Sequence, residues 1–96
     1  MATARTSAVV YNEGSNLVIE QEITCTAREP MSYSAYAQIP GRPMMGYEIA
    51  KMKPGETVVK RYLLAGAAGF EGKSALLGVR DNTTERGFAN VLVSLR

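Results

Sequence analysis

Ninety-six residues, 46% apolar and 21% charged, are enough for one globular domain with a single core. The chain has no His, which removes the usual general base at neutral pH and the commonest metal ligand. A net charge of +2 is too small to argue for nucleic acid, and no apolar run approaches the roughly 18 residues of a membrane-crossing helix.

The chain reads as a series of short strands. Residues 3–11 predict the first, with β-branched and aromatic side chains at Val9, Val10 and Tyr11. Residues 12–16 are a turn cluster. Residues 17–26 predict a second strand. Leu17, Ile19, Ile23 and Cys25 share one parity, while Glu20, Glu22, Thr24 and Thr26 share the other. Val18 and Gln21 break that period of two. Residues 27–30 end the strand.

Residues 31–39 predict a third strand, with Tyr33, Ala35, Ala37 and Ile39 alternating with Ser32, Ser34, Tyr36 and Gln38. The turn at residues 40–43 leads to a fourth strand over 44–52, with Met45, Tyr47 and Ile49 in phase. Pro54 and Gly55 then form a corner: proline presets the first central φ of a turn and glycine accepts a positive φ at the second. Residues 57–65 predict a fifth strand in one of two phases. Either Val58, Tyr62 and Leu64 face in and Lys60 snorkels, or Val59 and Leu63 face in with Arg61 at the margin. Residues 66–72 predict a loop anchored by Phe70, with a brief helical turn at 65–68. Residues 73–80 and 88–95 predict the last two strands, separated by a polar loop over 81–87.

Seven short strands with turn signals at near-regular intervals predict an all-β protein, an antiparallel sandwich or barrel. Three features resemble bacterial immunoglobulin-like accessory domains of the fibronectin type III-like, or E-set, kind. The second strand runs into a polar, proline-containing turn at 27–30. The run from Ile49 through Pro54, Gly55, Glu56 and Thr57 precedes an apolar strand. Gly72 stands ahead of the apolar run at 75–79. The resemblance implies an immunoglobulin-like β-sandwich of about seven strands, covering residues 1–96 as a single domain. It also implies a module of a larger bacterial protein, and the chain's stop just after its last predicted strand suits a C-terminal one.

No catalytic constellation emerges. Cys25, in phase with Ile19 and Ile23 and without a His to activate it, reads as a buried thiol. Glu20 and Glu22 share a strand face, and no second acidic cluster joins them, so no metal or other cofactor is expected. A Lys-to-Asn amide between Lys60 and Asn90, assisted by Glu20 or Glu22, is a remote alternative. The basic residues Lys51, Lys53, Lys60 and Arg61 straddle the corner and alternate in facing, so they form a solvated rim and not a nucleic-acid stripe.

The expected function is non-catalytic: protein–protein interaction, or spacing of neighbouring domains of the same chain. Contacts are expected from edge strands and loops, at Arg42 and Met44 in the 42–45 segment and at Asp81, Asn82 and Arg86 in the 81–87 loop. The alternative is a carbohydrate or small-ligand module in which Tyr36 is the stacking platform, with Ser34 and Gln38 beside it. Exchange of the two terminal strands between copies would make a homodimer. Neither nucleic acid nor membrane insertion is expected.

Overall fold

Every predicted strand forms within a residue or two of its expected limits. The computed structural model describes residues 3–82 and 89–95. Its elements are β1 (Ala4–Glu13), β2 (Asn16–Cys25), β3 (Met31–Gln38), β4 (Met45–Met52), β5 (Thr57–Leu64), β6 (Ser74–Asp81) and β7 (Ala89–Ser94). One short 3-10 turn, Ala67–Phe70, joins β5 to β6, two residues beyond the expected helical turn. The strands make a three-stranded sheet, β1-β2-β5, and a four-stranded sheet, β4-β3-β6-β7. Every neighbouring pair is antiparallel, and the two sheets face each other as a β-sandwich.

Period-two alternation accounts for the packing, because successive side chains leave a strand on opposite faces. Leu17, Ile19, Ile23 and Cys25 of β2 all turn inward and are buried. Tyr33, Ala35 and Ala37 of β3, with Ala75, Leu77 and Val79 of β6, face them from the other sheet. The alanines of β3 leave room for the bulkier residues opposite. The pairing of β2 with β5 decides the phase of the fifth strand. Ile23, Gln21, Ile19 and Leu17 stand opposite Val58, Lys60, Tyr62 and Leu64, so these face in and Arg61 faces out. Lys60 is only half-buried and runs its ammonium to 5.4 Å from the ring centroid of Tyr47.

The two interruptions in β2 have different causes. Gln21 keeps the inward phase and is fully buried between the two apolar clusters of the core. Val18 points to the outer face, where its cross-strand neighbours are Tyr11 and Leu63, and it too is fully buried. The Pro54–Gly55 corner forms as expected, with Gly55 at φ 83 and Glu56 N–H bonded to Lys53 C=O at 2.9 Å. The corner docks on the end of β2, since Gly55 N–H also donates to Cys25 C=O at 2.9 Å. At the opposite end Phe70 plugs the core from the 3-10 turn.

Cys25 is 1% exposed, with its Sγ 3.3 Å from the Tyr33 hydroxyl, which itself donates to Thr3 C=O at 2.7 Å. A thiol reagent should therefore reach Cys25 only through unfolding. The expected rate is at least about a thousandfold below that of the denatured chain. A stopped-flow thiol titration across denaturant checks this, and fast labelling under native conditions would contradict it.

Candidate functional site

The outer face of the four-stranded sheet is built from the residues that the core rejects. On β3 these are Ser32, Ser34, Tyr36 and Gln38, opposite in phase to buried Tyr33, Ala35 and Ala37. The register sets their neighbours. Tyr36 stands between Gly46 of β4 and Gly78 of β6, while Ser34 stands between Glu48 of β4 and Arg80 of β6. Glycine on both sides of one tyrosine has a direct steric consequence. A Cβ on Gly78 would overlap the ring and hydroxyl of Tyr36, so the ring lies across the bare backbone of β6. A Cβ on Gly46 would meet only Ala35 O, at 3.9 Å, so the other side stays open.

The result is a shallow depression of about 800 Å³ over β4, β3 and β6. Tyr36 and Met44 supply its apolar surface, and Ser34, Glu48, Arg80 and Asn82 its polar groups, while Tyr47, opposite Ala35, turns its ring to the inner face against Tyr62. Met44 is 61% exposed, unusually open for a side chain of its size. Ser34 Oγ donates to Asn82 Oδ1 at 2.7 Å, which pins the start of the 81–87 segment to the sheet. Glu48 and Arg80 flank Ser34 on either side, their backbones roughly 10 Å apart at two strand spacings. Neither has an ion-pair partner among the described residues. The floor therefore carries an anion on one bank and a cation on the other, neither ion-paired among the described residues.

Three of the expected contact residues, Tyr36, Met44 and Asn82, meet in this depression. Gln38 and Arg42 are exposed but line a separate shallow hollow with Pro40 and Leu92. Asp81 is a correction. It ends β6 on the inward phase, opposite Tyr33, and is fully buried, so it is not a surface contact. It ties the start of β1 to β6, accepting from Thr3 Oγ1 at 3.4 Å. Arg86 lies outside the described residues. The Lys60–Asn90 amide is also corrected, since Lys60 sits inward at the β5 edge and Asn90 is exposed on the outer face of β7. Gly46, Glu48 and Arg80 were not singled out in the sequence. Only the antiparallel register brings them beside Tyr36, although a glycine inside a strand is a signal of close approach at its outer face.

The outer face of the three-stranded sheet differs. Glu20 accepts from the Tyr11 hydroxyl at 2.7 Å, and Arg61 bonds Glu13. These polar groups are already paired with one another, as a solvated sheet face requires. Neither the protein-family models nor the curated proteins contain a match to this chain.

Proposed function

We propose that the chain is a non-catalytic recognition module of a larger protein, one that holds a segment of another polypeptide in the depression over β4, β3 and β6. The observation that carries this reading is the pair of opposite charges, Glu48 and Arg80, without an ion-pair partner among the described residues and set next to the surface of Tyr36 and Met44. An extended segment laid across the strands can set a basic side chain on Glu48, an acidic one on Arg80 and an apolar one on Tyr36 and Met44. Aromatic residues, Met and Arg are the types favoured at protein interfaces. Cys25, the chain's one thiol, is buried and hydrogen-bonded, away from this face.

The fibronectin type III-like reading is supported by strand order. The fourth strand lies with the third, giving sheets of three and four strands, whereas constant-type antibody domains put their fourth strand with the fifth. The fold class by itself does not choose a ligand. A second reading, a sugar stacked on Tyr36, is favoured by the half-buried ring laid over Gly78 in a depression that Ser34 and Asn82 also line.

Selection from a random peptide library, with a glycan array run beside it, separates the two. Peptides carrying one acidic and one basic residue should be enriched. Tyr36→Ala should weaken them at least about tenfold, and Arg80→Glu should select against the acidic position. Binding to glycans with no peptide enriched would replace this reading by the second. Peptides indifferent to both substitutions would remove the depression from the function.

A further inference from the structure

We infer that β7 is a self-association edge, pairing antiparallel with β7 of a second copy of this chain about a two-fold axis through Leu92. β7 closes its sheet and pairs only with β6 among the described residues. It has no charged residue, no proline and no bulge, and its register with β6 is unbroken from Ser74↔Ser94 to Val79↔Ala89. Exposed strand edges are normally guarded by such devices. The opposite edge of the same sheet has them: β4 carries Lys51 at φ 38, where the pairing with β3 slips.

The backbone groups that β7 offers can be assigned. Leu95 N–H donates to Lys73 C=O at 2.8 Å, extending the β6–β7 register by one pair. Bonded and non-bonded pairs alternate along an antiparallel ladder. Val91 and Val93 therefore share the phase of Leu95 and turn their N–H and C=O toward β6. Asn90, Leu92 and Ser94 turn theirs to the open edge. An axis through Leu92 sets Leu92 against Leu92 of the second copy and Asn90 against Ser94. Roughly six interchain backbone hydrogen bonds then close.

The side chains obey the same symmetry. Going outward from Leu92 in either direction, the chain meets valine and then a small polar residue: Val91 and Asn90 one way, Val93 and Ser94 the other. Apolar residues therefore face apolar ones and polar face polar, and no like charges meet. The axis, perpendicular to the sheet, keeps both copies' cores on one side. Val91 and Val93, half-buried in one copy, gain cover there. On the outer face Leu92, 69% exposed, joins its counterpart and the neighbouring Leu76. An arbitrary foreign strand would match the hydrogen bonds but not this mirrored side-chain order, so a second copy is the occupant. The pairing also sets two copies of the depression on one continuous face, a geometry for two-site binding.

So short a strand pair buries less than the roughly 1,200 Å² of a standard stable complex, so the dimer is reversible, with a Kd of about 10 µM to 1 mM. Sedimentation of the chain between about 1 µM and 3 mM should reveal it. Leu92→Lys sets two ammonium groups against each other at an exposed position that folding tolerates, and should weaken the dimer at least tenfold. Asn90→Cys mixed with Ser94→Cys should cross-link on mild oxidation while neither does so alone. The opposed Cα atoms would be about 5.5 Å apart, within disulfide range, and Cys25 is buried. A chain that stays monomeric up to about 3 mM, an unchanged dimer in Leu92→Lys, or Asn90→Cys linking to itself as readily as to Ser94→Cys would each overturn the inference.

Discussion

Replacing Gln21 by Leu is expected to lower the free energy of unfolding by about 2–4 kcal/mol. Gln21 sits mid-strand in β2, the central strand of its sheet, and is fully buried. Its Nε2 donates to Gly78 C=O across the sandwich at 3.1 Å and to Thr6 Oγ1 at 3.0 Å. Its Oε1 accepts from the Tyr62 hydroxyl at 3.1 Å. A carbonyl can only accept, so the bond to Gly78 fixes which end of the amide faces β6. With Gln21 in place, no buried side-chain N or O among the described residues lacks a partner. Leucine would fill much of the volume but strand the Tyr62 hydroxyl in an apolar setting, a cost of about 1–3 kcal/mol, and would cut the polar tie between the sheets. In a domain of this size the melting temperature should fall by roughly 10–20 °C. Adding Tyr62→Phe to Gln21→Leu removes the stranded hydroxyl, so the double variant should lose less than the sum of the singles. Denaturant melts of the four proteins measure this, and a loss below about 1 kcal/mol for Gln21→Leu would mean the network is expendable.

Alkali should unfold the domain between pH 10 and 12. Burial pushes the Tyr33 phenol up to about 12, with the Cys25 hydrogen bond adding to the effect. Burial likewise pushes Tyr62 up to about 12, helped by neighbouring Tyr47. In the unfolded chain both ionise near 10.0. Between these values the unfolded chain has released protons that the folded chain keeps, so stability falls as pH rises. Below pH 10 these two groups contribute no slope. Each raised phenol removes on the order of 2–3 kcal/mol by pH 12, a large share of the 5–15 kcal/mol typical of a domain. Phenolate absorbance followed with circular dichroism should show two of the five tyrosines ionising late and together with loss of strand signal. Tyr62→Phe should make the decline shallower. Full ionisation near pH 10 with the strands intact would contradict the assignment.

The separation between local and tertiary information is visible residue by residue. Alternation over residues 17–25 and 33–39 was legible in the sequence, because a side chain's face depends only on its parity along one strand. The same holds for the Pro54–Gly55 corner, whose φ values are set by two adjacent residues, and for Cys25, buried because it shares the parity of Ile19 and Ile23. Strand limits and the all-β class follow from such short-range rules. The fifth strand was not decidable this way, since its two faces are about equally apolar. Only its register against β2 turns Tyr62 inward and Arg61 out.

Gln21 and Asp81 were misread or unread for one reason: a polar residue looks like a surface residue until a partner distant in sequence satisfies it. Gly78 lies 57 residues from Gln21, and Thr3 lies 78 from Asp81. The depression belongs to the same category. The outward phase of Tyr36 was legible, but Gly46, Glu48, Arg80 and Gly78 join it only through strand pairing. Sequence alone determined which segments extend and which residues seek the interior, because both are properties of neighbours in the chain. Tertiary structure alone decided which polar groups are buried in company and which charges are brought up beside a tyrosine, because both depend on what another strand brings opposite.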